Sequence, residues 1–128
     1  MRMIKDADID PAPLAGKRVA IIGFGNQGRA QALNLADSGI DLVVGLRPGS
    51  RSEAEVRRAG IAVAGIEEAA AGADLLMMLA PDEMLAGIYQ AIEPHLRPGA
   101  ALGFSHGLAV HFGLIIPRAD LDVFLLAP

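Results

Sequence analysis

A chain of 128 residues and 13.3 kDa is enough for one domain with a real core and too short for two of full size. Its composition, 52% hydrophobic and 20% charged with a mean hydropathy of +0.40, excludes a disordered chain and suggests apolar surface left over for a partner. The absence of cysteine excludes disulfide scaffolds, thiolate metal sites and cysteine nucleophiles, while a net charge of -4 leaves no general cationic field for nucleic acid or an anionic membrane.

Taken in chain order, the first segment, MRMIKDADIDPAP, has acids and prolines where a signal peptide needs a continuous apolar stretch. The first ~15 residues read as a lead-in, and a cytoplasmic location is the default expectation. Residues 19–22, in KRVAIIGFG, form a short aliphatic run ending in glycine, the pattern of a strand covered on both faces. A helix is expected over 27–38, with Gly39 as its stop, then a strand over 41–46. A polar helix over 53–59 ends at Gly60, followed by a strand over 61–64 and a small helix over 67–71.

Residues 74–79 read as a buried strand stopped by Pro81, with Met77 and Met78 as core filling. Asp82 is expected as the N-cap of a helix over 83–92. The run 98–117 holds no Asp, Glu, Lys or Arg, but four glycines and two histidines argue against a spanning helix; it reads as strand, loop, strand. Strands over 100–104 and 123–126 complete the list. Alternating strands and helices of these lengths predict a Rossmann-type, doubly wound α/β domain: a mainly parallel sheet with helices on both faces.

Three constellations carry chemistry. Gly23, Gly25 and Gly28, in G-F-G-N-Q-G, stand directly after the first strand and open the first helix, the context that a dinucleotide-binding G-x-G-x-x-G requires. Gly23 permits the tight turn, Gly25 the approach of a pyrophosphate to the backbone, and Gly28 close helix packing, with the helix start supplying free amides. The second constellation lies at the end of the second strand, where an acid would select NAD. Here the chain reads G-L-R-P-G-S-R-S, so Arg47, Ser50, Arg51 and Ser52 favour the 2′-phosphate of NADP. A structural alternative is a capping box between Ser52 and Glu55 with solvated arginines.

The third is the carboxyl edge of the later strands. Asp82 and Glu83 lie at the mouth of the fourth strand, where a cofactor would pass, although a pure cap would look the same. His106, in F-S-H-G after the fifth strand, is the catalytic candidate; His95 and His111 fit structural roles better. No spacing of His, Asp and Glu makes a metal cage, and no serine or lysine sits in a nucleophile motif.

These segments, together with ADLLMMLAPDE, IEPHLRPGAALGFSHG and HFGLIIPRADLDVFLLAP, resemble the N-terminal domain of ketol-acid reductoisomerase, the acetohydroxy-acid isomeroreductase of branched-chain amino-acid synthesis. The resemblance spans nearly the whole chain and implies an NADPH-binding domain over 1–128. In that family an all-helical, knotted C-terminal domain follows and carries two magnesium ions. The family's reaction is a magnesium-dependent alkyl migration in 2-acetolactate or 2-aceto-2-hydroxybutyrate, followed by NADPH reduction of the resulting ketone.

The resemblance implies that Phe24, Gly25, Asn26 and Gln27 contact the cofactor pyrophosphate, and that Arg47, Ser50 and Ser52 hold its 2′-phosphate. It further implies that Pro81, Asp82, Glu83, Met84 and Leu85 lie along the cofactor, with His106 beside the substrate and nicotinamide. Phe24, Asn26, Arg29, Leu85, Leu108 and Ala109 depart from the family's usual residues, which are tyrosine, serine, histidine, glutamine, phenylalanine and asparagine respectively. The metal ligands of the family fall beyond Pro128, so this chain alone is expected to bind NADPH without completing the reaction. The acetohydroxy-acid substrate is then expected to bind only with the helical domain, and the C-terminal edge to serve self-association or partner docking. The alternative is a stand-alone NADP-binding module, regulatory or paralogous, without reductoisomerase activity.

Overall fold

The computed structural model describes residues 3–127; Pro128, where the predicted domain ends, lies outside them. One six-stranded sheet is built from β1 (Arg18–Ile22), β2 (Asp41–Leu46), β3 (Ala62–Gly65), β4 (Leu75–Met78), β5 (Ala101–Phe104) and β6 (Asp122–Leu125). The spatial order is β3-β2-β1-β4-β5-β6, and each neighbouring pair is parallel, so the sheet is wholly rather than mainly parallel. The crossovers are α1 (Asn26–Asp37), α2 (Glu53–Arg58), α3 (Ile66–Gly72), α4 (Asp82–Ile92) and the single-turn α5 (Leu108–His111).

The aliphatic run of β1 is buried on both faces because its side chains alternate between two cores. Val19 and Ile21 join Ala32 of α1 and Val56 of α2 on one face. Ala20 and Ile22 join Ala69 and Ala70 of α3, and Leu85, Ile88 and Ile92 of α4, on the other. After β3 the chain returns past β1 to form β4, so the crevice between β1 and β4 is the switch point of the sheet, where open α/β folds bind ligands.

Two expectations about local structure are corrected. Residues 98–117 do not return to a second strand: β5 is followed by α5, whose Ala109 is 1% exposed and packs into the α4 core. Asp82 does not cap α4. Pro81 occupies that position with an extended ψ of 142°, no side chain caps the helix, and Asp82 is already its first residue. Its carboxylate still suits the positive end of the helix.

The face of β4 and β6 beside α1 is less covered. Leu14, Leu35, Leu75, Met77, Phe124 and Leu126 line an open, mainly apolar groove of about 480 Å³ there. Val123, Leu125 and Leu126, and Phe112, Leu114 and Ile116 before β6, are exposed. Among the described residues no helix is long and apolar enough to cross a membrane.

Candidate functional site

The three glycines of the β1–α1 turn do three different things. Gly23 has a φ of +97°, and a Cβ there would lie 2.9 Å from the amide nitrogen of Ala80 at the end of β4. Gly28 is pressed against the same turn: a Cβ would come within 2.5 Å of the Gly23 carbonyl oxygen. Gly25 is different. It precedes α1 with extended backbone, nothing stands within 4 Å of where its Cβ would be, and it borders a cleft. Two glycines therefore shape the turn, and the third leaves space above the free amides of α1.

That cleft, about 210 Å³, crosses the carboxyl ends of β1, β2 and β4. Gly23, Phe24 and Gly25 form one wall, Arg47, Ser50 and Ser52 after β2 another, and Ala80, Pro81 and Met84 after β4 a third. Ile66 and Ile88, which sequence reasoning did not single out, supply an apolar side; only the fold brings them there. An adjoining groove of about 400 Å³ shares Leu46, Arg47, Ile66, Met84 and Ile88 and adds Pro48, Glu67 and Glu83.

Of the other predicted residues, Asn26 and Gln27 open α1, and Gln27 faces the apolar groove beside β6 rather than the cleft. Arg51 is exposed in the turn before α2 and does not line the cleft. Leu85 is not brought to the surface at all: it is 2% exposed and packs in the core. Arg47 and Arg51 have no ion-pair partner among the described residues. The predicted box between Ser52 and Glu55 does not form, since Ser52 makes no side-chain cap bond. The Glu55 carboxylate instead accepts from Arg29 Nε at 2.6 Å, which keeps it away from the start of its own helix.

At the next strand end, His106 follows β5 beside the start of α4, and its Nδ1 lies 3.7 Å from Asp82 Oδ2. Both side chains are open to solvent. Ser105, unnoticed in the sequence, receives a hydrogen bond from Gln31 Nε2 at 3.2 Å, tying the His106 loop to α1. No local pattern could have revealed it, because the partners are 74 residues apart. Among the described residues no group of three or more His, Asp or Glu could hold a metal ion, so the magnesium that the resemblance implies does not fit them.

A glycine turn and helix start at the switch point of a parallel sheet in the order 3-2-1-4-5-6 define a Rossmann-type domain of the dinucleotide-binding class. Residues 13–128 match the model of the acetohydroxy acid isomeroreductase NADPH-binding domain, and the chain belongs to that family. A ketol-acid reductoisomerase from an uncultured archean, described as NADH-preferring, is 40% identical over 100% of this chain, with a TM-score of 0.92. A protein from Jannaschia sp. CCS1 described as a putative oxidoreductase is 26% identical over 85% of this chain, with a TM-score of 0.73. A semialdehyde dehydrogenase NAD-binding protein from Cupriavidus necator, 24% identical over 85% with a TM-score of 0.74, shares the fold. The chain spans about 40% of the length of each of these solved relatives.

Proposed function

We propose that this domain binds NADPH and presents it for the reductive half of an acetohydroxy-acid reductoisomerase reaction. The observation that carries this is the wall after β2, where Arg47, Ser50 and Ser52 line the cleft and no carboxylate stands among them. Guanidinium and hydroxyl groups complement a phosphate dianion, whereas an NAD site uses an acid there to accept from the ribose hydroxyl.

In this reading the pyrophosphate lies over Phe24, Gly25 and the backbone amides of Asn26 and Gln27 at the start of α1, with Gly28 holding the helix close enough for them to serve, while the Gln27 side chain faces the β6 groove. Arg47, Ser50 and Ser52 take the 2′-phosphate, with Arg51 adding charge from the turn. Pro81, Asp82 and Met84 border the path toward His106, Glu83 faces the adjoining groove of the same segment, and Leu85 supports that segment from the core. When bound, the cofactor supplies the hydride. His106 would position or protonate a substrate carbonyl at the far end, and Asp82, whose Oδ2 lies 3.7 Å from its Nδ1, would help to orient it.

The substrates in this reading are 2-acetolactate and 2-aceto-2-hydroxybutyrate, as in the family, and the described residues hold no group of His, Asp and Glu for the magnesium that the migration requires. The exposed apolar surface along β6 and residues 112–116 is where the remainder of such an enzyme, or a second subunit, would pack; a cytoplasmic location is part of the same proposal. A second reading, a binding module without turnover, is favoured by Leu85 and Ala109: both are apolar and almost wholly buried where the family carries polar residues.

The deciding experiment is titration of NADPH and NADH into the wild-type chain and the S50D/S52D variant. Two carboxylates against the 2′-phosphate should weaken NADPH by about tenfold or more and spare NADH. Unchanged NADPH affinity would put the phosphate elsewhere. NADPH oxidation dependent on 2-acetolactate, measured with the magnesium-binding helical domain of a reductoisomerase supplied together with this chain, separates the enzyme from the module.

A further inference from the structure

The cleft wall after β2 is flanked by two acids, Glu53 and Glu55, in the first turn of α2. An unpaired carboxylate next to Ser52 would oppose a phosphate dianion and suit a ribose hydroxyl. Both are instead engaged. Glu53 accepts from Arg57 at 2.8 and 3.0 Å within its own helix, and Glu55 accepts from Arg29 at 2.6 Å. The second pair joins two separate elements. Arg29 lies one turn beyond Gly25, its amide bonded to the Gly25 carbonyl at 2.8 Å, and Glu55 lies one turn beyond Ser52. Gly25 and Ser52 both line the cleft, so each partner of the ion pair sits one helical turn behind a residue of a different wall. Both partners are about half exposed, which leaves the glutamate free to turn toward the cleft if the arginine is removed.

We propose that Arg29 is a specificity-determining residue that favours NADPH over NADH by neutralising and holding back Glu55, without itself touching the phosphate. Arg47 in the wall, and Arg51 in the exposed turn beside it, are then left uncompensated for the ligand. Glu67 and Glu83 border only the adjoining groove. The inference rests on the assignment of the 2′-phosphate to this wall and adds a residue on a different element.

Dissociation constants for NADPH and NADH are measured on the wild type, R29Q, E55Q and R29Q/E55Q. R29Q should weaken NADPH by about fivefold, the range of a half-exposed charge interaction, and change NADH by no more than about twofold. E55Q should bind NADPH at least as well as the wild type, because it removes the opposing charge. The double variant should return to the wild-type value, since nothing is left to hold back. Three results would overturn the proposal. An E55Q loss equal to that of R29Q would make the pair a mechanical strut. A double variant as weak as R29Q would put Arg29 on the phosphate itself. An R29Q variant with unchanged NADPH affinity would leave the pair without effect on selectivity. Failure of the phosphate assignment has its own signature: S50D/S52D is then inert, and the Arg29 proposal falls with it.

Discussion

Gly28 shows how much one hydrogen atom can matter. Any side chain at this position would drive a carbon to 2.5 Å from the Gly23 carbonyl oxygen, a backbone atom that cannot rotate aside. Gly28→Ala should therefore lift the first turn of α1, costing about 1–3 kcal/mol by urea denaturation, and weaken NADPH and NADH together. Gly25→Ala should leave stability nearly untouched, since only open space receives the methyl group, yet reduce affinity for both cofactors. A pair of variants that separates stability from binding in this way checks the division of labour within the loop. The fingerprint itself was legible, because three glycines between an aliphatic run and a helical pattern have one mechanical use. The Arg29–Glu55 pair was not. Glu55 reads equally well as part of a capping box, and only the approach of α1 to α2 decides between the two partners.

At the scale of elements, short helices depend on single anchors. Val56 is the only buried residue of the six-residue α2, at 0% exposure, and it fastens the helix that begins just after Ser52. Val56→Ala should cost about 2 kcal/mol and loosen the cleft wall, read as a lower urea midpoint and weaker NADPH binding. Arg118 performs the corresponding task at the end of α4. Its guanidinium donates to the carbonyls of Glu93 and Leu96 at 2.6 and 3.1 Å and to the Asp120 carboxylate at 2.8 and 2.9 Å, while its amide donates to the Tyr89 hydroxyl at 2.9 Å.

Two carboxylates at the amino-terminal edge of the sheet link stability to pH. Asp74 is held below the ordinary aspartate range first by the Arg18 amide, 2.9 Å away, with Arg97 and Lys17 adding attraction. Asp120 is lowered chiefly by its hydrogen bonds to Arg118. A depressed carboxyl pKa stabilises the fold above the unfolded value of about 3.9, and that contribution disappears as pH falls through the lower folded value. Stability from these groups should thus be level from neutral pH to about pH 5 and decline below it. D74N should flatten part of the decline in urea midpoints measured between neutral and acid pH.

For the whole molecule, the six-stranded sheet and its two faces form one cooperative unit around β1. Because the cleft draws walls from β1, β2 and β4, a ligand there binds only the folded state. NADPH at about one hundred times its dissociation constant should therefore add about 2.7 kcal/mol of stability and raise the melting temperature. No shift with a cofactor at saturating concentration would count against the cleft as its site. The open apolar groove beside β6 is the other global feature, and composition alone had hinted at it through the high hydropathy.

The sequence by itself determined the class of fold, all six strands to within a residue or so, the glycine turn and the arginine and serine wall, because each is written in local periodicity or in a few neighbouring residues. Pairings between distant segments had no such signature. The tertiary structure decided that Pro81 rather than Asp82 precedes α4, that Leu85 is core, that α5 replaces an expected strand, and that Glu55 answers to Arg29. Each depends on which elements the sheet order brings side by side, and a side chain with two chemically adequate partners takes the one that packing places within reach.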